Sequence, residues 1–469
     1  MSVRPHALEG SIVRPPAPAV RSARTIGAHR TVPALAADPL GAFERIGTEA
    51  GGEVVRISLG LFRPYLVTRP EHVQHVLRDG ADHYSRDGML WKPLRRLNGD
   101  GIASDGPGWE LSRRLIAPVF SGKNVAGLID PMAASIAEGV AALADAARSG
   151  TKLDATVEMT RIVHRALVRA FFGGRIALAD ADRLGSAIAT AFTSLGSRML
   201  LPFVPGAVPL PGDRAFRAAV RTVDEVIVPL VAAARSGPAD RSDIVSLLAS
   251  ATDADGNTLT DRQIRDDVVA MFVAGTETTA LALTWLWVLT ERSPEVAAAL
   301  RDEVTAVVGP GPVTRAHLPK LTYTRQVIDE VLRLYPVGWV IPRTVKQDDV
   351  VGGVRIKRGS TVFLSPYLTQ RRPEAWDSPD TFDPSRFAPD RAAGRHRFDY
   401  FPFGAGLHQC LGSHFFAVEA QLVVAAMLTK YTPSVPNAGE IRPQASASLR
   451  PRGTVTMTLK PVRRKRKKA

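Results

Sequence analysis

The sequence predicts a mainly α-helical protein with small β-sheets (α+β), folded as one large unit. Three observations predict it. From Thr260 to Pro294 no proline interrupts a strongly apolar stretch, long enough for a helix of about 32 residues. A second apolar run, 416–427, lacks glycine and proline and predicts a buried helix starting just after Cys410. Short strand patterns at 54–59 and 65–68 flank a turn near Gly60, and others return near 351–365 and 454–459. Most of 108–335 is helical in pattern. Length alone suggests about three domains. No Gly/Ser linker or sustained charge block divides the 469 residues, so a single domain over 38–460 is expected.

The long helix has a local reason to begin where it does. Thr260-Asp261-Arg262-Gln263 is a capping box, with Thr260 as N-cap and Gln263 at N3. Its centre, 268–289, is almost wholly apolar and raises the question of a membrane span. Glu277 lies in mid-span, where a charge costs roughly 2.5–3.5 kcal/mol, and Arg265, Asp266 and Asp267 crowd its start. A helix through the middle of a large core fits better, so no membrane span is expected.

Within that helix lies Ala274-Gly275-Thr276-Glu277-Thr278-Thr279. Ala274, Gly275 and Thr278 share a face. A mid-helix glycine costs about 1 kcal/mol relative to alanine, and a buried glutamate costs more unless hydrogen-bonded. The segment is equally compatible with a threonine-rich helix bonding to its own i−4 carbonyls.

The only cysteine, Cys410, sits in Phe403-Gly404-Ala405-Gly406-Leu407-His408-Gln409-Cys410-Leu411-Gly412. One thiol makes no intrachain disulfide and no multi-cysteine metal site. It can be a nucleophile, an inert core residue, or the axial thiolate of a haem. A nucleophile would use His408 or His414 as base, yet no second signature of a thiol hydrolase accompanies them. Three flanking glycines predict a tight loop against something flat. The helix that follows would present free N–H groups to a thiolate.

This segment resembles the haem-binding loop of the cytochrome P450 family: Phe, two residues, Gly, one residue, Arg or His, one residue, Cys, one residue, Gly. Phe403, Gly406, His408, Cys410 and Gly412 match every position. The resemblance implies haem b, with Cys410 as the iron ligand and a P450-type fold enclosing it between the long helix and the Cys-bearing loop. Ala274 to Thr278 resembles the family's oxygen groove. There Gly275 makes room above the iron, Thr278 hydrogen-bonds the activated oxygen, and Glu277 relays protons from water. Having both acid and threonine implies an O2-using monooxygenase.

The resemblance also assigns the pair Glu330 and Arg333, with Arg386 in Pro384-Ser385-Arg386-Phe387, to a buried structural network. Serine stands there where the family carries glutamate. Trp109 and Arg113, together with Arg343 and His408, would contact the haem propionates. The pocket segments by position are 86–104, 192–211, 268–276, 337–341 and the turn 445–447. They offer Met89, Leu94, Leu200, Leu201, Phe203, Val337, Trp339 and Ile341, with Arg95 and Arg96 able to bind a carboxylate. A lipophilic small molecule is the implied substrate. The stretch 365–371 resembles bacterial members acting on sesquiterpenes, with steroids, fatty acids and polyketides also open. Oxidative coupling or desaturation, and a non-enzymatic haem sensor, are the alternative roles.

Composition bounds the rest. Hydrophobic content of 45% with 23% charged residues suits a globular protein with a large core. Residues 1–37 are rich in Pro, Arg and Ala without an apolar run suited to a signal or anchor, and a partly disordered lead-in is expected. The net charge is +14, and the tail 461–469 carries six basic residues in a row. Such tails are more often solvated than bound to nucleic acid, so no nucleic-acid partner is expected. A basic body suits docking of a small acidic redox partner. With no flavin or ferredoxin segment visible, electrons are expected from a separate ferredoxin-type protein. A single cysteine fits a cytoplasmic setting.

Overall fold

The long helix forms where its capping box places it. In a computed structural model, which describes residues 20–195, 197–198, 204–237 and 243–462, Asp261–Arg292 is one unbroken helix of 32 residues. The Gln263 N–H donates to Thr260 Oγ1 at 3.2 Å, and the Thr260 N–H donates to Gln263 Oε1 at 2.9 Å. Every residue from 279 to 290 is buried. It is one of two described helices long and apolar enough to cross a membrane, the other being Gly122–Ser149. Cover on all sides of 279–290 accounts for its apolar surface without lipid.

Helices Ala155–Phe172, Thr322–Leu334 and Ser413–Lys430 pack around this axis. Ser413–Lys430 is the run expected after Cys410, and it is buried throughout from Phe415 to Leu428. Trp285 of the axis stacks on Tyr335 with ring centroids 4.0 Å apart.

A mixed six-stranded sheet stands beside the helices, in the order Arg24–Ile26, Val55–Ile57, Tyr65–Val67, Thr361–Leu364, Ile341–Val345, Tyr84–Ser85. Val55–Ile57 and Tyr65–Val67 are antiparallel neighbours, as their alternation predicts, and Gly60 between them has φ +73°. Thr456–Pro461 pairs with Tyr431–Ser434. The helix-dominated class and its small sheets are as expected.

The boundary expected at residue 38 needs correction. Arg24–Ile26 adds a parallel strand beside Val55–Ile57, and Ala28–Ala37 is helical, so chain ahead of residue 38 belongs to the fold. Proline and arginine there obscured a strand of three residues. Residues 1–19 and the basic run from 463 lie outside the described residues.

Candidate active site

The Cys410 loop is built by backbone bonds and one glutamine. Gln370 is fully buried, and its Nε2 donates to the carbonyls of Leu332 and Arg333 at 3.0 and 3.1 Å. Its Oε1 accepts the Phe401 N–H at 3.0 Å. The loop entrance is thus hung from the Thr322–Leu334 helix. Inside the loop, the Gly404 N–H donates to Phe401 O and the Cys410 N–H to Phe403 O, each at 2.9 Å. The Phe403 ring packs edge-on against Phe416, centroids 5.4 Å apart. Gly406 has φ +68°, and a Cβ there would fall 1.7 Å from the Leu77 carbonyl oxygen. Gly406→Ala is therefore expected to lose more than the roughly 1–2 kcal/mol of left-handed strain alone. A urea midpoint equal to wild type would refute this.

Cys410 has accessible surface, yet burial among surrounding protein pushes its thiol pKa up. Both hold if the side chain faces an interior space. The Gly412 N–H bonds the sulfur and Arg113 adds positive charge, and both oppose the burial effect. Arg113, expected at a propionate, donates from Nη1 to Gln409 O at 2.6 Å in the structure. It reaches the thiolate loop itself.

Across the interior, Ala274 is exposed although its helix runs through the core. The Thr278 hydroxyl donates to Ala274 O, its own i−4 carbonyl. That leaves the hydroxyl oxygen free to accept. A Cβ at Gly275 would lie 3.1 Å from Leu167 of Ala155–Phe172. The glycine lets two helices approach closely. Glu277 is half-buried and paired, with Arg450 Nη2 at 2.5 Å from its Oε1.

The donors Trp109, Arg343 and His408 do come together, with Arg86 and Asp105 added. Strand pairing explains it: Tyr84–Ser85 lies antiparallel to Ile341–Val345, so Arg86 and Arg343 leave the same sheet edge. The Trp109 and His408 rings are 4.4 Å apart, and the Arg86 guanidinium lies 5.8 Å from the Trp109 ring centroid. Arg86 Nη2 donates to Ile102 O and Ser104 O at 2.9 and 2.7 Å. His408 Nε2 is 2.9 Å from Asp105 Oδ1.

Asp105 stays ionised: burial opposes it, but the His408 and Arg86 interactions outweigh burial and hold its carboxyl below the usual range. Burial, with Arg113 nearby, pushes Arg86 down to about 10. Burial and Arg86 push Arg343 down to about 9. Burial also lowers His408. The cluster has more positive groups than Asp105 can neutralise. Arg86 Nε, Trp109 Nε1 and His408 Nδ1 are buried without a hydrogen-bond partner among the described residues, Arg86 Nε lying 3.9 Å from Asp105 Oδ1. Arg86 and Asp105 belong to no motif, and only the sheet edge reveals them.

The charge network forms behind the loop as expected. Arg333 grips both oxygens of Glu330, at 2.6 and 2.8 Å, with both side chains fully buried. Arg386 Nε stands 3.4 Å from Glu330 Oε1. Ser385, in the position of the family's glutamate, bonds Asp383. Among pocket residues, Arg95 and Arg96 each have an acid partner within the chain. Arg95 Nε donates to Asp100 at 2.9 Å, and Arg96 pairs with Asp213 at 3.0 Å. Leu200, Leu201 and Phe203 lie outside the described residues.

A family model described as Cytochrome P450 matches residues 42–460. The chain belongs to the cytochrome P450 family. Pentalenene oxygenase of Streptomyces avermitilis is 31% identical over 401 residues, spanning 85% of this chain and 88% of that protein. Cyclooctatin synthase of Streptomyces melanosporofaciens is 33% identical over 419 residues, with 88% of each covered. The crystal structure of the cytochrome P450DA heme domain superposes with a TM-score of 0.85 at 24% identity, covering 95% of this chain and 98% of that one, and shows the shared fold.

P450 enzymes are haem-thiolate monooxygenases with iron held by a cysteine. The residues of this P450 fit that group. Its two carboxylates would satisfy the orphaned Arg86 Nε and Trp109 Nε1 and offset the surplus positive charge. A carboxylate there would also favour the doubly protonated His408 ring, making Nδ1 a donor. Cys410, with accessible surface and a Gly412 N–H on its sulfur, is the one thiol in the sequence available as ligand.

Proposed function

We propose that this P450 holds haem b through Cys410 and hydroxylates, or otherwise oxidises, a terpenoid, using O2 and electrons from a separate ferredoxin-type protein. The observation that carries the reading is the Cys410 loop: a lone sulfur that keeps accessible surface while hemmed in by protein, with the Arg86–Trp109–Arg343–His408 cluster beside it. The terpenoid class is supported by two Streptomyces relatives named for pentalenene and cyclooctatin. It is also supported by Arg95 and Arg96 being engaged with acids, which leaves Val337, Trp339 and Ile341 to favour an apolar ligand. The excess of basic residues supports an acidic electron donor, and the single cysteine supports a cytoplasmic setting.

Haem, when bound, supplies the iron at which O2 is reduced and split. The chain's own groups do the rest. The Gly412 N–H and the Arg113 charge favour the thiolate form of Cys410. Trp109, Arg86, Arg343 and His408 hold carboxylates at the sheet edge. Thr278 Oγ1, with its proton on Ala274 O, accepts a hydrogen bond in the groove. Glu277, one residue away, holds or passes a proton at its carboxylate.

The reduced, carbon-monoxide-bound protein is expected to show a strongly red-shifted Soret band, absent in Cys410→Ala. A histidine-type spectrum would sink the reading. Thr278→Ala is expected to lower product formed per electron consumed. Unchanged coupling would favour a carrier or sensor. Labelled O2 appearing in product would separate oxygen insertion from coupling or desaturation.

A further inference from the structure

Glu277 is tied across 173 residues of sequence to Arg450, and the strand that carries Arg450 is anchored at several points. Arg450 lies in Leu449–Pro451, paired antiparallel with Pro443–Ala445. Its neighbour Leu449 donates its N–H to Val337 O at 2.9 Å. The Leu449 carbonyl accepts Trp285 Nε1 at 3.2 Å, from the same long helix, two turns beyond Glu277. Trp339 Nε1 donates to Ser446 O at 2.8 Å. The turn 445–448 is thus fastened both to the axis helix and to the 337–341 pocket segment.

We propose that Arg450 is a positioning residue for Glu277, presenting its carboxylate beside Thr278 and linking that placement to the pocket turn. This rests on the reading of Glu277 and Thr278 as the proton-handling pair. Three facts favour positioning over a structural brace. The two side chains are 43% and 30% exposed, a setting in which an ion pair contributes about 0–1 kcal/mol to stability. Arg450 Nε is buried with no partner among the described residues, so Glu277 is the one acceptor fixing its head. Arginine does not deprotonate in proteins, so it cannot relay a proton itself. Its work is to hold the acid still.

A free glutamate at this half-buried site would sample several rotamers, some away from Thr278. Fixed to Arg450 through Oε1, it keeps one arrangement, and its remaining oxygen capacity serves water. A ligand pressing on Trp339 or on the turn 445–448 would move the strand, and with it the glutamate. Substrate fit and proton handling therefore share one mechanical element.

The test uses the full-length haem-loaded protein and four variants: Glu277→Gln, Arg450→Ala, Arg450→Lys and the double Glu277→Gln/Arg450→Ala. Two readouts are taken: product per reducing equivalent, and the C–O stretching band of the reduced carbon-monoxide complex, which reports the field in the groove. Arg450→Ala is expected to lower the product ratio several-fold and to shift or broaden the band. The double variant should match Glu277→Gln rather than add to it. Arg450→Lys should restore part of both. If Glu277→Gln changes both readouts while Arg450→Ala matches wild type, the positioning role is overturned. If Glu277→Gln itself changes nothing while the Soret band stays red-shifted, the proton-handling reading falls first, and this inference with it.

Discussion

Arg333→Ala is expected to destabilise the protein by about 3–5 kcal/mol and to abolish cofactor retention. The guanidinium holds both Glu330 oxygens and donates to the carbonyls of Gln370, Pro379 and Thr381 at 3.0, 2.7 and 3.1 Å. Burial already raises the Glu330 pKa, with Arg333 as its main counterweight. Removing the arginine strands that carboxylate with Arg386 at 3.4 Å and the Asp383 N–H at 3.0 Å. Three carbonyls lose their donor at once. Arg333→Lys should rescue little, because an ammonium cannot span a planar five-donor set. Urea unfolding and the Soret absorbance of purified protein measure both effects. A wild-type midpoint for Arg333→Ala would refute the expectation.

The second large effect is expected from pH and one glutamate. Glu419 lies on Ser413–Lys430, fully buried, and neither carboxyl oxygen has a well-formed partner among the described residues. Burial pushes its carboxyl up to about 8, with the Thr279 hydroxyl pulling weakly the other way. The folded protein therefore keeps a proton that the unfolded chain releases near the ordinary value of 4.5. Between those values the native state binds more protons, so stability falls as pH rises from about 5 towards 8. Glu419→Gln removes the titrating group and keeps the shape. Its unfolding free energy from urea titration should draw ahead of wild type as pH rises from 6 to 8, by an amount of order a few kcal/mol at the upper end. Parallel curves for the two proteins would count against a protonated Glu419.

What the sequence made legible was local or tightly spaced. The Thr260–Gln263 capping box places the helix start correctly because both its bonds close within four residues. Glu330 and Arg333 lie one helical turn apart, and the Cys410 loop is a contiguous string. The misses arise at long range. Arg86 joins the Trp109–Arg343–His408 cluster only because Tyr84–Ser85 pairs with a strand some 260 residues later. Arg450 finds Glu277 through a hairpin whose register no local pattern encodes. Arg96 looked free in the sequence because its acid, Asp213, lies 117 residues away.

The contact between Gly406 and the Leu77 carbonyl has a consequence for the order of assembly. The thiolate loop seats against a turn made roughly 330 residues earlier in the chain, with no room for even one extra carbon. Closure over that separation carries an entropic cost, and it needs both the short helix His75–Asp79 and the loop to be in place. A nascent chain therefore lacks a finished iron-binding loop until almost all of it has left the ribosome. Cofactor capture becomes a late checkpoint of biosynthesis: chains stalled or truncated before the final helix would remain colourless and open to proteolysis.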